Sequence, residues 1–302
     1  MPALAICMVS LNCRNVVEDC LESLRRSRFQ DFEIVIVDNG STDETLPYLR
    51  AQPDVKLIEN GYNAGFTKGT NQGITSTPGQ YVLWLNTDTI LQEDSLGELI
   101  GFLESHPAAG IVGPRVLNKD GSFQPQCKRG VPTPLASLAY SLRIDRIWPD
   151  NPRLSQYLLR TMSEHEAGQV GAVSGCCLMA RRSVVDSIGL LDETMFAFGE
   201  DIEWCVRASK AGWQVWYYPG SVIVHLKGQG GAHSKPYHKV WGMHQSMWLF
   251  YRKHLAAERS AVTTGLVAAG IAVSFSASIL KTGIRQQFRR RKTPSRAAVR
   301  PA

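Results

Sequence analysis

The sequence lacks the glycine motifs that mark two large classes of nucleotide-binding enzymes. No GxGxxG dinucleotide fingerprint follows an apolar run, and the glycine-rich stretch at 63–73 does not have the spacing of a P-loop. A dehydrogenase or a P-loop kinase therefore loses its main support. No internal repeat is evident either.

Cysteine is present, but not in the pattern of a disulfide framework. The seven cysteines are an odd number, form no CxxC pair and in several cases lie inside apolar runs, which predicts reduced thiols in a cytosolic protein. The apolar run at 4–9 is too short for a signal peptide and fits a first strand. We expect the body of the protein, residues 1–235, to stay in the cytoplasm. The cysteines are Cys7, Cys13, Cys20, Cys127, Cys176, Cys177 and Cys205.

Acidic residues are absent from residues 281–302, which hold eight of the 33 basic residues. The rest of the chain carries 25 basic and 27 acidic residues, so the net charge of +6 is a property of the tail. Such a tail suits anionic lipid headgroups or nucleic acid, and the plain alternative is a disordered solubilising end. Apart from Phe288 the tail lacks interleaved aromatic residues, which argues against specific nucleic-acid binding.

Short apolar runs alternate with helical patterns through the first third of the 302 residues. The alternation predicts βαβ units, that is, an α/β fold with a mostly parallel central sheet flanked by helices. One predicted helix carries Val17, Leu21 and Leu24 on one face, and another is predicted to open at Ser41. The predicted strands lie near 4–10, 34–37, 55–58 and 81–85, and further helices near 64–75 and from 95.

Regular periodicity is lost over residues 118–168, where prolines are scattered among arginine and aromatic residues. A long irregular segment inside a compact domain is typical of a lid or binding loop, so we expect an acceptor-facing insertion. A second compact part is predicted after it. Its elements are a strand at 170–179, helices at 181–188 and 200–211, strands at 214–218 and 221–225, and a helix at 238–255.

Residues 261–280 contain no charged residue over a length that spans a bilayer. More than half of them are small or hydroxylated. If the helix spanned the membrane with the body in the cytoplasm, the basic tail would lie outside the cell, against the usual preference of Lys and Arg for the cytoplasmic side. The pattern favours a helix that lies on or dips into the inner leaflet. A soluble helix packed on the body is the alternative.

Polar side chains fall at the ends of predicted strands. In parallel sheets, ligands bind beyond the carboxyl ends of the strands, where Ser10, Asp38 and Asp88 are expected. A carboxylate and an amide at Asp38 and Asn39 can bind a base or a ribose, and the alternative is an Asx turn with a helix cap. The glycine-rich stretch at 63–73 can let a nucleotide approach the backbone.

Two further groups suggest chemistry. Asp88, in the run Asn86-Thr87-Asp88, can bind a divalent cation that also contacts diphosphate oxygens, and His225 at the end of the last strand can add a nitrogen ligand. A lone histidine is more often a core or surface residue. Glu200 and Asp201 lie at the start of an amphipathic helix, where acids either cap the helix or transfer protons.

These motifs together resemble family 2 glycosyltransferases of the GT-A fold, and within them the bacterial rhamnosyltransferase-like members of cell-wall and O-antigen assembly. The resemblance runs from residue 4 to about 230. It is carried by Val9-Ser10-Leu11-Asn12, Val37-Asp38-Asn39-Gly40-Ser41-Thr42-Asp43, Asn63-Ala64-Gly65-Phe66, Leu85-Asn86-Thr87-Asp88, Val173-Ser174-Gly175, Arg181-Arg182, Phe198-Gly199-Glu200-Asp201 and His225.

The resemblance implies an inverting transfer of a sugar from a nucleoside-diphosphate donor, assisted by Mn²⁺ or Mg²⁺. It implies that Asp88 and His225 hold the metal and that Asp201 is the catalytic base, favoured over Glu200 by its six-residue spacing to Arg207. An inverting reaction needs one carboxylate as base and no second nucleophilic carboxylate. The predicted nucleotide-sugar contacts are Ser10, Asn12, Asp38, Asn39, Asn63, Gly65, Asn71, Asn86 and Thr87.

The sequence departs from the family pattern at three places. Asn86 stands where many relatives have an acid, which puts the metal affinity in doubt, and Asn39 leaves the base open between thymine and uracil. Glu203 and Trp204 replace the more usual residues, which puts the acceptor side of the pocket in doubt.

The leading hypothesis is a peripheral membrane enzyme at the inner leaflet, with a dTDP- or UDP-sugar donor and a lipid-linked or polysaccharide acceptor in cell-envelope glycan synthesis. The alternative is a non-catalytic nucleotide-sugar-binding protein. The predicted organisation is a catalytic domain at 1–235, with a nucleotide part to 115 and an acceptor part from 116, then helices at 236–280 and a basic tail at 281–302.

Overall fold

A computed structural model describes residues 2–228 and 236–292, in two units that divide after residue 234. The strands are β1 (Leu4–Ser10), β2 (Phe32–Asp38), β3 (Val55–Glu59), β4 (Tyr81–Asn86), β5 (Thr89–Leu91), β6 (Ala109–Leu117), β7 (Lys128–Arg129), β8 (Gly168–Gln169), β9 (Ala172–Val173), β10 (Cys177–Arg181) and β11 (Gln214–His225). The helices are α1 (Arg14–Arg25), α2 (Thr45–Arg50), α3 (Phe66–Ser76), α4 (Ser95–Ser105), α5 (Pro134–Ser141), α6 (Ile144–Ile147), α7 (Arg182–Ile188), α8 (Glu200–Lys210), α9 (Pro236–His254) and α10 (Ala261–Lys292).

The central sheet confirms the predicted α/β class. Over the described residues it has nine strands, in the order β3-β2-β1-β4-β10-β6-β11-β5, with β8 added on β11. The first four strands are parallel, as the alternation predicted. Beyond them β10 runs antiparallel to β4 and β6, and β5 antiparallel to β11. β10 follows the irregular insertion, which returns the chain to the sheet between β4 and β6.

Helices cover the sheet through small and apolar side chains. Val17, Leu21 and Leu24 of α1 are fully buried, as their spacing predicted. On α3, Gly69 and Gly73 pack so closely on β1 that an added Cβ would come to 3.0 Å from Val9 and Cys7 side-chain atoms. These two glycines therefore serve helix–strand packing, rather than the nucleotide approach expected for the glycine-rich stretch.

Three sequence-based boundaries were wrong. Helix α2 begins at Thr45, because the Ser41 hydroxyl donates to Asp38 instead of capping a helix. The strand predicted at 170–179 is divided by a turn in which the Cys177 amide donates to the Ser174 carbonyl. The two strands predicted at 214–225 are one strand, β11, with an irregularity between Tyr218 and Val222.

The segment 118–168 forms only short elements, in agreement with its lost periodicity. Arg129 lies in β7, which pairs with β9 as a separate two-stranded sheet. Helices α5 and α6 follow, and the Tyr140 and Tyr157 rings pack with their centroids 4.8 Å apart. Buried Asp145 of α6 accepts a 2.8 Å hydrogen bond from Arg160. These contacts join α5 and α6 to residues 157–160 of the same insertion.

In the second unit α9 packs along α10. His244 of α9 hydrogen-bonds to Ser274 of α10 at 3.1 Å, and Tyr251 to Thr264 at 3.1 Å. The span Ala261–Gln287 is long and apolar enough to cross a membrane by length and composition. Its large apolar side chains that face outward are Val262, Leu266, Val273, Leu280 and Ile284.

Candidate active site

The ends of β1, β2 and β4 are neighbours at one edge of the sheet. The registers pair Ser10 with Asp38 and Val9 with Asn86. The carboxyl ends of parallel strands meet at one edge, so the residues that the sequence analysis placed there do lie together. What the structure adds is how their polar groups are used.

Asp38 organises the turn after β2. Its buried carboxylate accepts hydrogen bonds from the Ser10 hydroxyl at 2.8 Å and from the Gly40 and Ser41 amides at 3.0 and 2.8 Å. This is the Asx turn that was the alternative to a binding role. A direct contact of Asp38 with a ribose would have to compete with these bonds.

Asn12 and Asn39 also have partners within the protein. Asn12 has a left-handed backbone, with φ of 48°, and its side-chain oxygen accepts from the Thr42 amide at 2.8 Å. The buried Asn39 amide donates to the Gly65 carbonyl at 3.0 Å and accepts from Asn60 at 2.9 Å. Asn60 was missed by the sequence analysis, because nothing in its local pattern indicates a partner 21 residues away.

The loop 63–66 packs against the segment that precedes α8. The Asn63 side chain accepts from the Gly65 amide at 3.0 Å, and the Phe66 amide donates to the Phe196 carbonyl at 3.0 Å. At Gly65, with φ of 93°, an added Cβ would come to 2.8 Å from the Phe196 ring. Glycine at this position therefore allows the loop 63–66 to pack against Phe196, in the segment that leads into the acidic helix α8.

The side chain of Asn71 contacts the segment 191–193. Its amide donates to the Leu191 carbonyl at 2.9 Å and to Glu193 at 3.0 Å, and its oxygen accepts from the Leu191 amide. These contacts hold the 191–193 segment on α3. Asn71 therefore has a structural contact with this segment, and it does not lie with the residues at the strand ends.

Asp88 and His225 meet because β11 pairs with β5. The register places His225 opposite Thr89, and the His225 Nε2 lies 3.1 Å from the Asp88 Oδ1. Gln124, which the sequence analysis missed, donates to the His225 carbonyl at 2.8 Å and lies 3.3 Å from its Nδ1. Burial lowers the pKa of His225, whereas Cys176 and Asp88 raise it, to about 10 on balance.

The described residues contain no cluster of three acidic, histidine or cysteine side chains that could hold a metal. Asp88 and His225 provide two donor atoms. The side-chain oxygen of Asn86, beside the buried Thr87, is buried without a hydrogen-bond partner. Oxygen and imidazole donors suit Mn²⁺, so this set fits a cation whose remaining ligands come from a diphosphate.

Asp201 is held on both carboxylate oxygens. Its Oδ2 accepts from the Arg129 guanidinium at 2.6 Å and from the Gly175 amide at 2.9 Å, and its Oδ1 accepts from the Ile202 amide at 2.8 Å. Arg129, which the sequence analysis missed, is buried and also donates to the Val173 carbonyl at 2.7 Å. Burial lowers the pKa of Arg129, but the Asp201 charge outweighs this and raises it.

Glu200 is in a different state from its neighbour. Its Oε2 is buried and has no hydrogen-bond partner. Burial first, and then the Asp201 charge, raise the pKa of Glu200 to about 8, although Arg129 acts in the opposite direction. The two carboxyl groups thus have different surroundings: Asp201 forms an ion pair with Arg129, whereas the buried Glu200 has a raised pKa, which favours its protonated form.

The start of α8 is set by an unusual backbone. Phe198 and Gly199 have left-handed φ angles of 72° and 84°, and the conformation is strained for a phenylalanine. Farther along α8, Glu203 is fully buried and pairs with Arg207 at 2.9 Å. Trp204 donates to the Gly189 carbonyl. Glu203 and Trp204, which depart from the family pattern, therefore make contacts inside the protein. Arg207 is the ion-pair partner of Glu203.

Two adjacent residues connect the acid pair to the strand ends. The Gly175 amide binds Asp201, and the Cys176 carbonyl accepts from the Asn86 amide at 3.0 Å. An added Cβ at Gly175 would come to 2.8 Å from the Trp84 ring. Of six buried side-chain atoms without partners in the described residues, four belong to this region: Trp84 Nε1, Asn86 Oδ1, Arg129 Nε and Glu200 Oε2. Unsatisfied buried polar atoms are rare, and their concentration here makes this region the candidate binding site.

An α/β sheet with polar side chains gathered beyond the ends of its parallel strands is typical of enzymes that bind a nucleotide-linked substrate. The chain belongs to glycosyl transferase family 2, whose model matches residues 5–189, so it is a glycosyltransferase. The resemblance drawn from the motifs is confirmed.

Relatives and solved structures agree with this class. The chain is 28% identical over 247 residues to an N-acetylglucosaminyl-diphospho-decaprenol L-rhamnosyltransferase of Mycobacterium tuberculosis, covering 78% of this chain and 79% of the relative. It is 30% identical over 182 residues to the low-salt glycan biosynthesis hexosyltransferase Agl10 of Haloferax volcanii, covering 59% and 53%.

Two solved structures share the fold. One is S. aureus TarS 1–349 in complex with UDP-GlcNAc, with a TM-score of 0.57, 17% identity, and coverage of 90% of this chain and 72% of TarS. The other is GalNAc-T7 with UDP, GalNAc and Mn²⁺, with a TM-score of 0.58, 16% identity, and coverage of 83% and 48%.

Proposed function

We propose that this glycosyltransferase moves rhamnose or a similar hexose, with inversion, from a dTDP- or UDP-sugar to a lipid-linked or polysaccharide acceptor of the cell envelope. The observation that carries the proposal is the pair Gly175–Cys176, which links the Asp88–His225 side to the Glu200–Asp201 side. The similarity to a decaprenol-linked rhamnosyltransferase over most of both chains supports the sugar and acceptor class. We take the first unit as the catalytic domain, with the nucleotide side up to residue 115.

We assign the donor to the edge where β1, β2 and β4 end. Residues 10, 12, 38 and 39 would shape the nucleoside pocket through the turns that they hold, with Asn63, Gly65 and Thr87 on its border. Asp88 and His225 would hold Mn²⁺ or Mg²⁺, and Asn86 would contact a phosphate or the ion. When bound, the cation neutralises charge that develops on the diphosphate leaving group.

We assign the base to Asp201. It is the member of the acid pair that forms an ion pair with Arg129, and its carboxylate has room for one more hydrogen-bond donor, the acceptor hydroxyl. Arg129 and Gly175 fix its orientation. Glu200, being protonated, would donate a hydrogen bond to the acceptor or the sugar. One ionised carboxylate as base is what a single displacement requires.

A pH profile separates the roles of the two acids. If protonated Glu200 is the competent form, kcat falls as the pH rises through about 8. Glu200→Gln cannot ionise, so this variant keeps activity within a few-fold of wild type at pH 7 and does not show the fall.

Glu200 has a raised folded-state pKa, so its stabilising contribution is fully present below its unfolded pKa. Between the two values wild type loses roughly 1.4 kcal/mol of unfolding free energy per pH unit, and Glu200→Gln does not. Inactivity of a folded Glu200→Gln would instead make Glu200 the base.

We propose that the second unit attaches to the inner leaflet with α10 lying along the surface. At about 100° per residue, Val262, Leu266, Val273, Leu280 and Ile284 fall within one narrow stripe, and all are exposed. The partner helix α9 carries Lys239, Arg252 and Lys253, which disfavour burial of the pair in hydrocarbon. We expect the double substitution Leu266→Glu with Val273→Glu to release the protein from vesicles. Unchanged vesicle binding of this variant would contradict the proposed attachment.

The donor is tested by thermal shift with nucleotide sugars, with and without Mn²⁺. A donor stabilises the folded state by about 2.7 kcal/mol at 100 times its Kd. We expect dTDP- or UDP-sugars to raise Tm more in the presence of Mn²⁺, and GDP-sugars to have no effect. Absence of stabilisation and of turnover by every donor would refute the proposal, whereas stabilisation without turnover would support the non-catalytic alternative.

A further inference from the structure

The irregular insertion carries an apolar surface that the proposed reaction does not use. Helices α5 and α6, with the residues that directly follow each of them, expose five large apolar side chains within 14 residues, each more than half exposed. Leu135, Leu138 and Leu142 are spaced three and four residues apart and form one stripe along α5 and its C-cap. The other two are Ile147 at the end of α6 and Trp148 directly after it.

The exposed charges of residues 134–153 are mostly positive. Arg143, Arg146 and Arg153 are exposed, against one exposed acid in this range, Asp150. Asp145 does not reduce the positive charge at the surface, because it is buried and paired with Arg160. Among the described residues neither Arg143 nor Arg146 has an ion-pair partner. Leucine and tryptophan beside exposed arginines are typical of a surface that enters the lipid headgroup region.

The insertion is also coupled to the acid pair. The Gly130 amide donates to the Tyr157 carbonyl at 3.1 Å, next to the Arg129 that holds Asp201. Tyr140 of α5 packs on Tyr157 with 4.8 Å between ring centroids. These contacts connect the apolar surface to Asp201 through Tyr157 and the Arg129–Gly130 segment.

We propose that α5–α6, residues 134–148, is a second membrane-contact surface, located in the catalytic unit, that docks on anionic lipid headgroups. Its leucines and Trp148 enter the interface, and Arg143 and Arg146 contact the headgroups. The surface extends the proposed function, because it would present the acid pair to an acceptor that is itself anchored in lipid. Each arginine is expected to contribute roughly fivefold to partitioning.

The test places a polarity-sensitive fluorophore on the full chain at Leu138→Cys. The seven native cysteines are buried, and burial raises the pKa of Cys7, Cys20 and Cys127 to about 12, so the introduced thiol is labelled selectively. The matched control is Gln80→Cys, at an exposed position before β4 and at the opposite end of that strand from Asn86. Vesicles of phosphatidylcholine with and without phosphatidylglycerol are then added.

We expect a blue shift and quenching by shallow nitroxide lipids at position 138 with the anionic vesicles, and neither at position 80. Arg143→Gln with Arg146→Gln should weaken the response about 25-fold, from roughly fivefold per charge. No shift at 138 while the protein still floats with vesicles would overturn the proposal. So would an equal shift with neutral vesicles, or a response that needs only a second copy of the chain. Donor hydrolysis by the same labelled protein reports the proposed function separately.

Discussion

Replacing Asp201 by asparagine is expected to lower kcat by about 10²–10⁴-fold, the usual contribution of a general base. Donor binding should persist, because the contacts of Asp201 are with Arg129, Gly175 and Ile202 rather than with the strand ends. Single-turnover transfer and calorimetric titration of the donor measure the two effects separately. Turnover comparable to wild type would remove Asp201 from the role of base.

The same substitution leaves a buried guanidinium without its charged partner, which costs about 3–5 kcal/mol of stability. A loss of activity through misfolding must therefore be separated from a loss of the base. Arg129→Gln combined with Asp201→Asn restores a neutral, hydrogen-bonded pair. We expect the double variant to regain much of the lost Tm and to remain inactive. Recovery of activity together with stability would show that the carboxylate acts structurally.

Replacing Asp88 by alanine is expected to lower metal-stimulated turnover by about 10²–10³-fold, because charge on the diphosphate leaving group would no longer be neutralised. His225 alone holds a cation weakly. Turnover over a Mn²⁺ titration is the measurement, and Glu104→Ala, an exposed acid of α4, is the control. Unchanged Mn²⁺ stimulation in Asp88→Ala would exclude the assigned site.

Gln124 provides a finer test of the same site. It contacts both the carbonyl and the ring of His225, and residues that orient a metal ligand typically change metal affinity 10–100-fold. Gln124→Leu should therefore shift the Mn²⁺ requirement upward while saturating Mn²⁺ restores kcat. A loss of kcat that saturating metal does not restore would indicate that Gln124 contacts the donor instead.

The sequence predicted the first half of the fold well. The four parallel strands and the buried face of α1 follow from apolar periodicity, which acts over a few residues and is visible in the chain itself. The antiparallel entry of β10 was not predictable in this way. It depends on where the irregular insertion returns the chain, and the turn at 174–176 has no periodic signature.

The candidate site shows the same division. Polar residues at strand ends were identified because a parallel sheet gathers such ends at one edge. Their use was not predictable: Asp38 holds its own turn, and Asn71 braces a segment 120 residues away. Arg129 and Gln124 were missed, because a buried arginine and a glutamine in an irregular segment carry no local signal.

By itself, the sequence determined the class of this protein, the placement of acids and amides at the strand ends, and the position of Glu200 and Asp201 at a helix start. Only the tertiary structure decided that Arg129, 72 residues from Asp201, pairs with that acid, and that burial raises the pKa of Glu200. The reason is physical. Secondary structure and turns depend on neighbours along the chain, whereas the charge state of a buried carboxyl depends on burial and on partners that only folding brings within hydrogen-bond distance.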